Sequence, residues 1–171
     1  SRNHPPIEGV DDTDHGVPGK YFHPGAWLAF SDVNGNDYWR LKAPVRHEGF
    51  VEAPCTRSGS FTVHNTYRDQ QRPEEVVFDE VCRCAYVALP EGRLLIHDSV
   101  FTPRQGSLRF GDEEEMGFGF RAATPMAVKH GGRMVDSAGR EGEEGIWSRE
   151  AAWCDTSGRV EGRLIGAMLV P

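Results

Sequence analysis

Apolar positions recur at every second place along most of this chain, in short runs broken by Gly, Pro, Asn and Asp. That is the period of a half-buried β-strand and not of a helix. The pattern predicts strands over 45–52, 60–67, 75–89, 93–102 and 116–129, and a closing pair around 152–155 and 160–170. Trp27-Leu28-Ala29-Phe30, then Asn34-Gly35, then Tyr38-Trp39 reads as a hairpin, because Asn-Gly suits a type I′ turn. In 75–89 the residues Val76, Phe78, Cys82, Cys84 and Tyr86 fall on one face, interrupted by Glu80. Val81 and Val87 partly cover the other face, as in a central strand. Pro90-Glu91-Gly92 offers a tight turn into Arg93-Leu94-Leu95-Ile96, so 75–89 and 93–102 form a long antiparallel hairpin. The polar stretch 136–150 holds at most a short turn, and residues 1–24 carry no apolar period and read as an irregular arm. The expected fold is all-β, an antiparallel β-sandwich with a long N-terminal arm, built as one domain over 1–171.

One strand has two unlike faces. An extended backbone over 113–121 sends Met116, Phe118 and Phe120 to one side and Glu115, Gly117, Gly119 and Arg121 to the other. Two glycines in register give up packing, so a flat object approaches the backbone there, either a ligand or a bulky neighbour such as Trp153. In the ligand reading Glu115 is an acid, a base or a hydroxyl acceptor and Arg121 an oriented donor. In the packing reading Glu115 and Arg121 form a surface ion pair. His97 is expected to face the same cleft as Arg121, whereas its neighbour Asp98 points to the opposite face. Trp153 near the glycines suits stacking on a sugar.

The formal charge of −7 comes without any cluster of Lys and Arg, which argues against nucleic-acid and anionic-membrane partners. No apolar run approaches the ~20 residues of a membrane-spanning helix, so a soluble protein, cytoplasmic or periplasmic, is expected. Cys55, Cys82, Cys84 and Cys154 show no Cys-x-x-Cys spacing, and free buried thiols are expected. His15 and His23, with Asp11, Asp12 and Asp14 nearby, suggest a divalent-metal site of mixed ligands. His23 lies just before the Trp27 strand, where a sheet end would hold it. Asp32 to Asp37 resembles a calcium loop, but its glycine is one position early and Ala43 stands where the closing Glu belongs, which favours the hairpin turn. Nucleophile-elbow, phosphate-loop and dinucleotide motifs are absent.

Three separated motifs carry a family resemblance. Phe22-His23-Pro24-Gly25-Ala26-Trp27-Leu28-Ala29-Phe30 with Asp32-Val33-Asn34-Gly35, then 114–125, then Trp153-Cys154-Asp155 with Ser157-Gly158, resemble the PmoA-like proteins of unknown function. These are soluble bacterial proteins labelled "methane oxygenase PmoA". Methane oxidation itself is set aside, because that membrane subunit needs spanning helices. The resemblance implies a β-sandwich akin to sugar-binding supersandwich folds, with a role in carbohydrate catabolism. It matches His15 and His23 to a histidine-rich loop, sparser here, and Glu115 and Arg121 to a Glu-x-Gly-x-Arg-like strand. It also implies a longer protein continuing past Pro171. The expected function is acid/base chemistry on a sugar or sugar derivative. Glu115 and His23 transfer protons, Arg121 orients the substrate, and Gly117, Gly119, His97 and Trp153 line the site. The alternatives are a non-catalytic carbohydrate-binding module and a metal-dependent oxidoreductase acting through His15 and His23. The expected partner is a small molecule or glycan, and the sequence leaves the oligomeric state open.

Overall fold

The computed structural model describes residues 25–55, 59–113 and 116–171. Nine strands are described: β1 (Ala26–Ala29), β2 (Val45–Glu52), β3 (Ser60–Arg68), β4 (Val76–Ala88), β5 (Arg93–Pro103), β6 (Gly117–Phe120), β7 (Arg133–Asp136), β8 (Cys154–Val160) and β9 (Arg163–Leu169). One short helix, α1 (Gly142–Ile146), accompanies them. The sheets are open, with strand orders β1-β6, β2-β3-β4-β5 and β7-β8-β9. This is the all-β class read from the sequence, and it is consistent with an antiparallel sandwich. Among the described residues no helix is long and apolar enough to cross a membrane. The contacts divide the chain into two compact units, 29–117 and 1–28 with 118–171, and each is taken by itself.

In the 29–117 unit the sheet β2-β3-β4-β5 follows the predicted strands closely. Leu89 N donates to Gly92 O at 2.9 Å and Gly92 N to Leu89 O at 3.3 Å, so Pro90-Glu91 make a two-residue turn. From that turn the β4–β5 ladder runs without a register shift from Ala88 opposite Arg93 to Phe78 opposite Pro103. At the far end of the ladder lies an aromatic core of Tyr38, Tyr67 and Phe78 with Val33 and Ala43, flanked by Phe30 and Phe101. Tyr67 stacks on Phe78 with ring centroids 4.2 Å apart, and Tyr38 meets Tyr67 edge-on at 5.0 Å. Phe78 is fully buried, and its truncation to Ala would cost about 3–5 kcal/mol.

Asn34-Gly35 does form a tight turn, with both residues at positive φ (52° and 81°) and two hydrogen bonds of 3.0 Å between Val33 and Asn36. The two-strand hairpin expected around it is corrected: 38–39 are turn, and β1 pairs with β6 instead. Tyr38 and Trp39 both donate their amides to Phe30 O, so the chain doubles back through a turn before a ladder can grow. Asp32 closes the turn from its first residue. Its Oδ1 accepts the Gly35 amide at 2.8 Å, and Asn34 holds Ser107 and Arg109, beyond the end of β5, through its side-chain amide.

In the other unit, β7, β8 and β9 make an antiparallel sheet with continuous registers. β7 has no counterpart among the expected strands, because a four-residue strand with only Met134 and Val135 apolar gives little periodic signal. The strand expected over 116–129 is shorter. It stops at Phe120 and gives way to 3₁₀ turns at Thr124–Met126 and Val128–His130. Pro125 lacks the amide a ladder needs and suits the first turn of a helix. Asp136, buried at the end of β7, accepts the Ala138 and Arg140 amides and the Arg140 guanidinium at 2.6 Å. Burial works against its charge, but these hydrogen bonds outweigh it and hold the carboxyl below its ordinary range.

Candidate metal centre

The chemistry of the four-stranded sheet concentrates on the face that carries Tyr67 and Phe78. Beyond the aromatic core, the next residue of β4 on that face is Glu80, only 3% exposed. A buried carboxyl is costly unless its oxygens find donors, and three converge here. Ser99 Oγ donates to Oε1 at 2.6 Å, while Asn65 Nδ2 and Tyr67 OH donate to Oε2 at 2.9 and 3.2 Å. Burial and the nearby Glu80 push the Tyr67 hydroxyl upward in pKa, which keeps it a donor. Asn65 is held in turn by His47, whose Nδ1 lies 3.3 Å from Asn65 Oδ1. A polar line therefore crosses the sheet from His47 on β2 through Asn65 and Glu80 to Ser99 on β5. The interruption of the apolar face at Glu80 is the centre of this network.

The next two residues of β4 on the same face are Cys82 and Cys84. Because the ladder is regular, Ser99 stands opposite Cys82 and His97 opposite Cys84. Cys82 Sγ lies 3.8 Å from Cys84 Sγ, 3.3 Å from His97 Nε2 and 4.0 Å from His97 Nδ1. Among the described residues this is a group of three with metal-ligand chemistry, and its ligand atoms all lie within 4.8 Å of one another. Cys82 is buried, and Cys84 and His97 are half-buried, so the cluster has an inner side against the Glu80 network and an outer side that solvent reaches.

Two thiols so close invite comparison with a redox pair. An extended backbone separates i and i+2 by roughly 6.6 Å, near the upper limit of about 6.8 Å for disulfide-bonded Cα atoms. Cys82 is buried and Cys84 and Cys154 are half-buried, whereas Cys55 is exposed and not buried as expected. Burial pushes the Cys82 thiol up to about 11, and the neighbouring Cys84 and Glu80 add to that rise. A thiol held protonated at neutral pH is a poor nucleophile. Metal ligation is the chemistry that suits this pair, since a bound cation displaces the thiol protons.

The opposite face of the sheet is also polar but differently built. His64 Nε2 lies 2.7 Å from Asp79 Oδ1, and Arg104 donates to the same oxygen at 2.8 Å. Beside them Thr66 Oγ1 and Arg68 both donate to Glu48 Oε1, at 2.6 and 3.2 Å. Burial raises the Asp79 pKa, but the His64 and Arg104 hydrogen bonds outweigh it and the carboxyl sits below its ordinary range.

Of the residues expected to form a site, His15, His23 and Glu115 lie outside the described residues. His97 belongs to the 29–117 unit, where it meets Cys82. Gly119, Arg121 and Trp153 belong to the other unit. The strand expected over 113–121 is formed, in its described part, only by Gly117–Phe120. A Cβ at Gly119 would fall on the Trp27 indole, so the bulky neighbour there is Trp27 and not Trp153. Gly117 has a different reason to be glycine: its φ is +97°, which a side chain disfavours. Arg121 is half-buried, its amide bonded to Gly25 O at 2.7 Å, and Trp153 O accepts the Ser137 amide at 3.1 Å.

A profile for DUF6807, a family of unknown function, matches residues 7–170. The chain belongs to that family. Neither a curated protein nor a solved structure matches it.

Proposed function

We propose that this DUF6807 member is a metal-binding protein whose centre is Cys82, Cys84 and His97, taking a thiophilic ion of the zinc type. The spacing of the ligand atoms carries the reading. Zn–S bonds of about 2.3 Å and Zn–N bonds of about 2.0–2.1 Å at tetrahedral angles give edges of roughly 3.8 Å between sulfurs and 3.6 Å between sulfur and nitrogen. The Cys82–Cys84 and Cys82–His97 separations are 3.8 and 3.3 Å, and the Cys84–His97 separation is within 4.8 Å, so side-chain adjustments would seat an ion. Two thiolates and one imidazole favour zinc over magnesium or calcium, which prefer oxygen. The test is elemental analysis of protein loaded with zinc and desalted. One zinc per chain, lost in Cys82→Ser and His97→Ala, is expected. Substoichiometric zinc in the wild type, or full retention in both variants, would overturn the reading.

A second reading keeps acid/base chemistry on a sugar, with Glu115 and His23 as proton-transfer groups and Arg121 as the orienting donor, in kinship with the PmoA-labelled proteins. What favours it is the open space at Gly117, where among the described residues nothing lies within 4 Å of the point a Cβ would occupy. Glycan-array binding that is lost in Glu115→Gln and Arg121→Ala would support it, and binding or turnover unchanged in both would sink it.

A further inference from the structure

We infer that the Cys82–Cys84–His97 centre keeps one exchangeable coordination position, and that Ser99 makes it select small ligands whose donor atom carries hydrogen, such as water, an alcohol or hydrosulfide. This rests on the metal reading and deepens it.

The inference starts from the direction of one hydrogen bond. A serine hydroxyl has one proton and two lone pairs. At 2.6 Å, Ser99 Oγ gives its proton to Glu80 Oε1, at the short end for O–H···O bonds. Glu80 cannot turn away from this role, because Asn65 and Tyr67 hold its other oxygen. The Asn65 amide is itself braced by His47. With its proton committed, Ser99 offers only lone pairs toward Cys82, the residue opposite it in the ladder. In the metal-free protein the Cys82 S–H can use one of them. A bound ion displaces that proton, and the lone pair becomes an acceptor at the edge of the coordination sphere.

The three ligand atoms converge from β4 and from the β5 residue opposite Cys84, with Ser99 one step further along β5 on the same face. An incoming ligand enters on the side of the half-buried Cys84 and His97. A donor atom bearing hydrogen satisfies both the ion and Ser99, whereas a bare donor such as the azide terminal nitrogen leaves the Ser99 lone pair unsatisfied. Among the described residues three side chains supply ligand atoms, and three protein ligands with an exchangeable fourth position are the arrangement of catalytic zinc sites, whereas structural sites are closed. Ser99 is here a positioning residue, acting on the bound ligand and not on the ion.

Cobalt(II) reports the coordination sphere by its visible spectrum, so the experiment uses the whole chain loaded with cobalt and titrated with azide. The wild type is expected to show a saturable spectral change as azide displaces water. In Ser99→Ala, at one cobalt per chain, water loses its acceptor and azide should bind about five- to ten-fold more tightly, the worth of one hydrogen bond. Ser99→Thr, which keeps the hydroxyl, should restore the wild-type affinity. A cobalt spectrum indifferent to azide would show a closed fourth position and overturn the inference, while leaving metal binding intact. Equal azide affinity in wild type and Ser99→Ala would overturn the selection by Ser99. Failure to take up cobalt or zinc at all would instead remove the metal reading beneath both.

Discussion

The two faces of the β2-β3-β4-β5 sheet bury carboxyls in opposite ways. On one face Glu80 is satisfied by a hydroxyl, an amide and a phenol, with no charge partner among its hydrogen bonds. On the other, Asp79 lies between His64 and Arg104, and Glu48 is paired with Arg68. The second arrangement is what a solvated sheet face does with charge: opposite signs neutralise each other and the groups are used up in doing so. The first leaves thiols and an imidazole beside a directed network, with ligand chemistry that the fold itself does not require. The same backbone therefore carries one face explained by stability and one that asks for an occupant.

The largest effect that would break this contrast is on metal affinity. Structural zinc sites bind with about 10–16 kcal/mol shared among four ligands, so removing one ligand by Cys82→Ser or His97→Ala should weaken zinc binding by about a hundredfold or more. Competition with a chromophoric chelator measures this. His64→Ala on the opposite face should leave zinc affinity unchanged, and an equal loss there would erase the distinction between the faces. Next in size is Glu80→Ala, which strands three donors at once and should cost about 3 kcal/mol in urea unfolding of the metal-free protein. Because those donors are neutral, the loss should be insensitive to added salt.

How much of this is legible in the sequence depends on what each residue signals locally. The strands of the four-stranded sheet are readable because their period is two and their breaks are turn residues. The Cys-His cluster is within reach as well. A two-residue turn at Pro90-Glu91 pairs Leu89 with Gly92, and counting back along that register places His97 opposite Cys84. Alternation without that count sets His97 toward the cleft of Arg121 and gives no hint of the two thiols. Glu80 stands out only as an interruption, because its partners Asn65 and Tyr67 lie on β3 and nothing local announces them. Gly119 misleads for a related reason. A missing side chain signals close approach but not by what, and here it is Trp27, far away in sequence. Gly119→Ala should therefore cost about 2 kcal/mol through overpacking. Gly117→Ala, with open space and only an unfavourable φ, should cost about 1 kcal/mol. The reverse order in urea unfolding would return Gly119 to the role of an open floor.

The smallest expected effect belongs to the ion-paired face, and its sign follows from Asp79. Against the upward push of burial, hydrogen bonds from His64 and Arg104 hold this carboxyl below its ordinary pKa. In the folded state it therefore stays ionised where the unfolded chain, with an ordinary value of about 3.9, begins to take up a proton. The unfolded state then binds more protons as pH falls. The stabilisation is complete above the unfolded value and is lost as pH falls through the folded one. Asp79→Asn should cost about 1 kcal/mol at neutral pH, with Arg104 half in solvent, and should flatten the loss of stability below about pH 4. High salt should shrink the Asp79→Asn effect while leaving the Glu80→Ala effect in place. If both responded to salt alike, the carboxyls of the two faces would be held by the same kind of force, and the case for a specialised Glu80 face would rest on the cysteines and His97 alone.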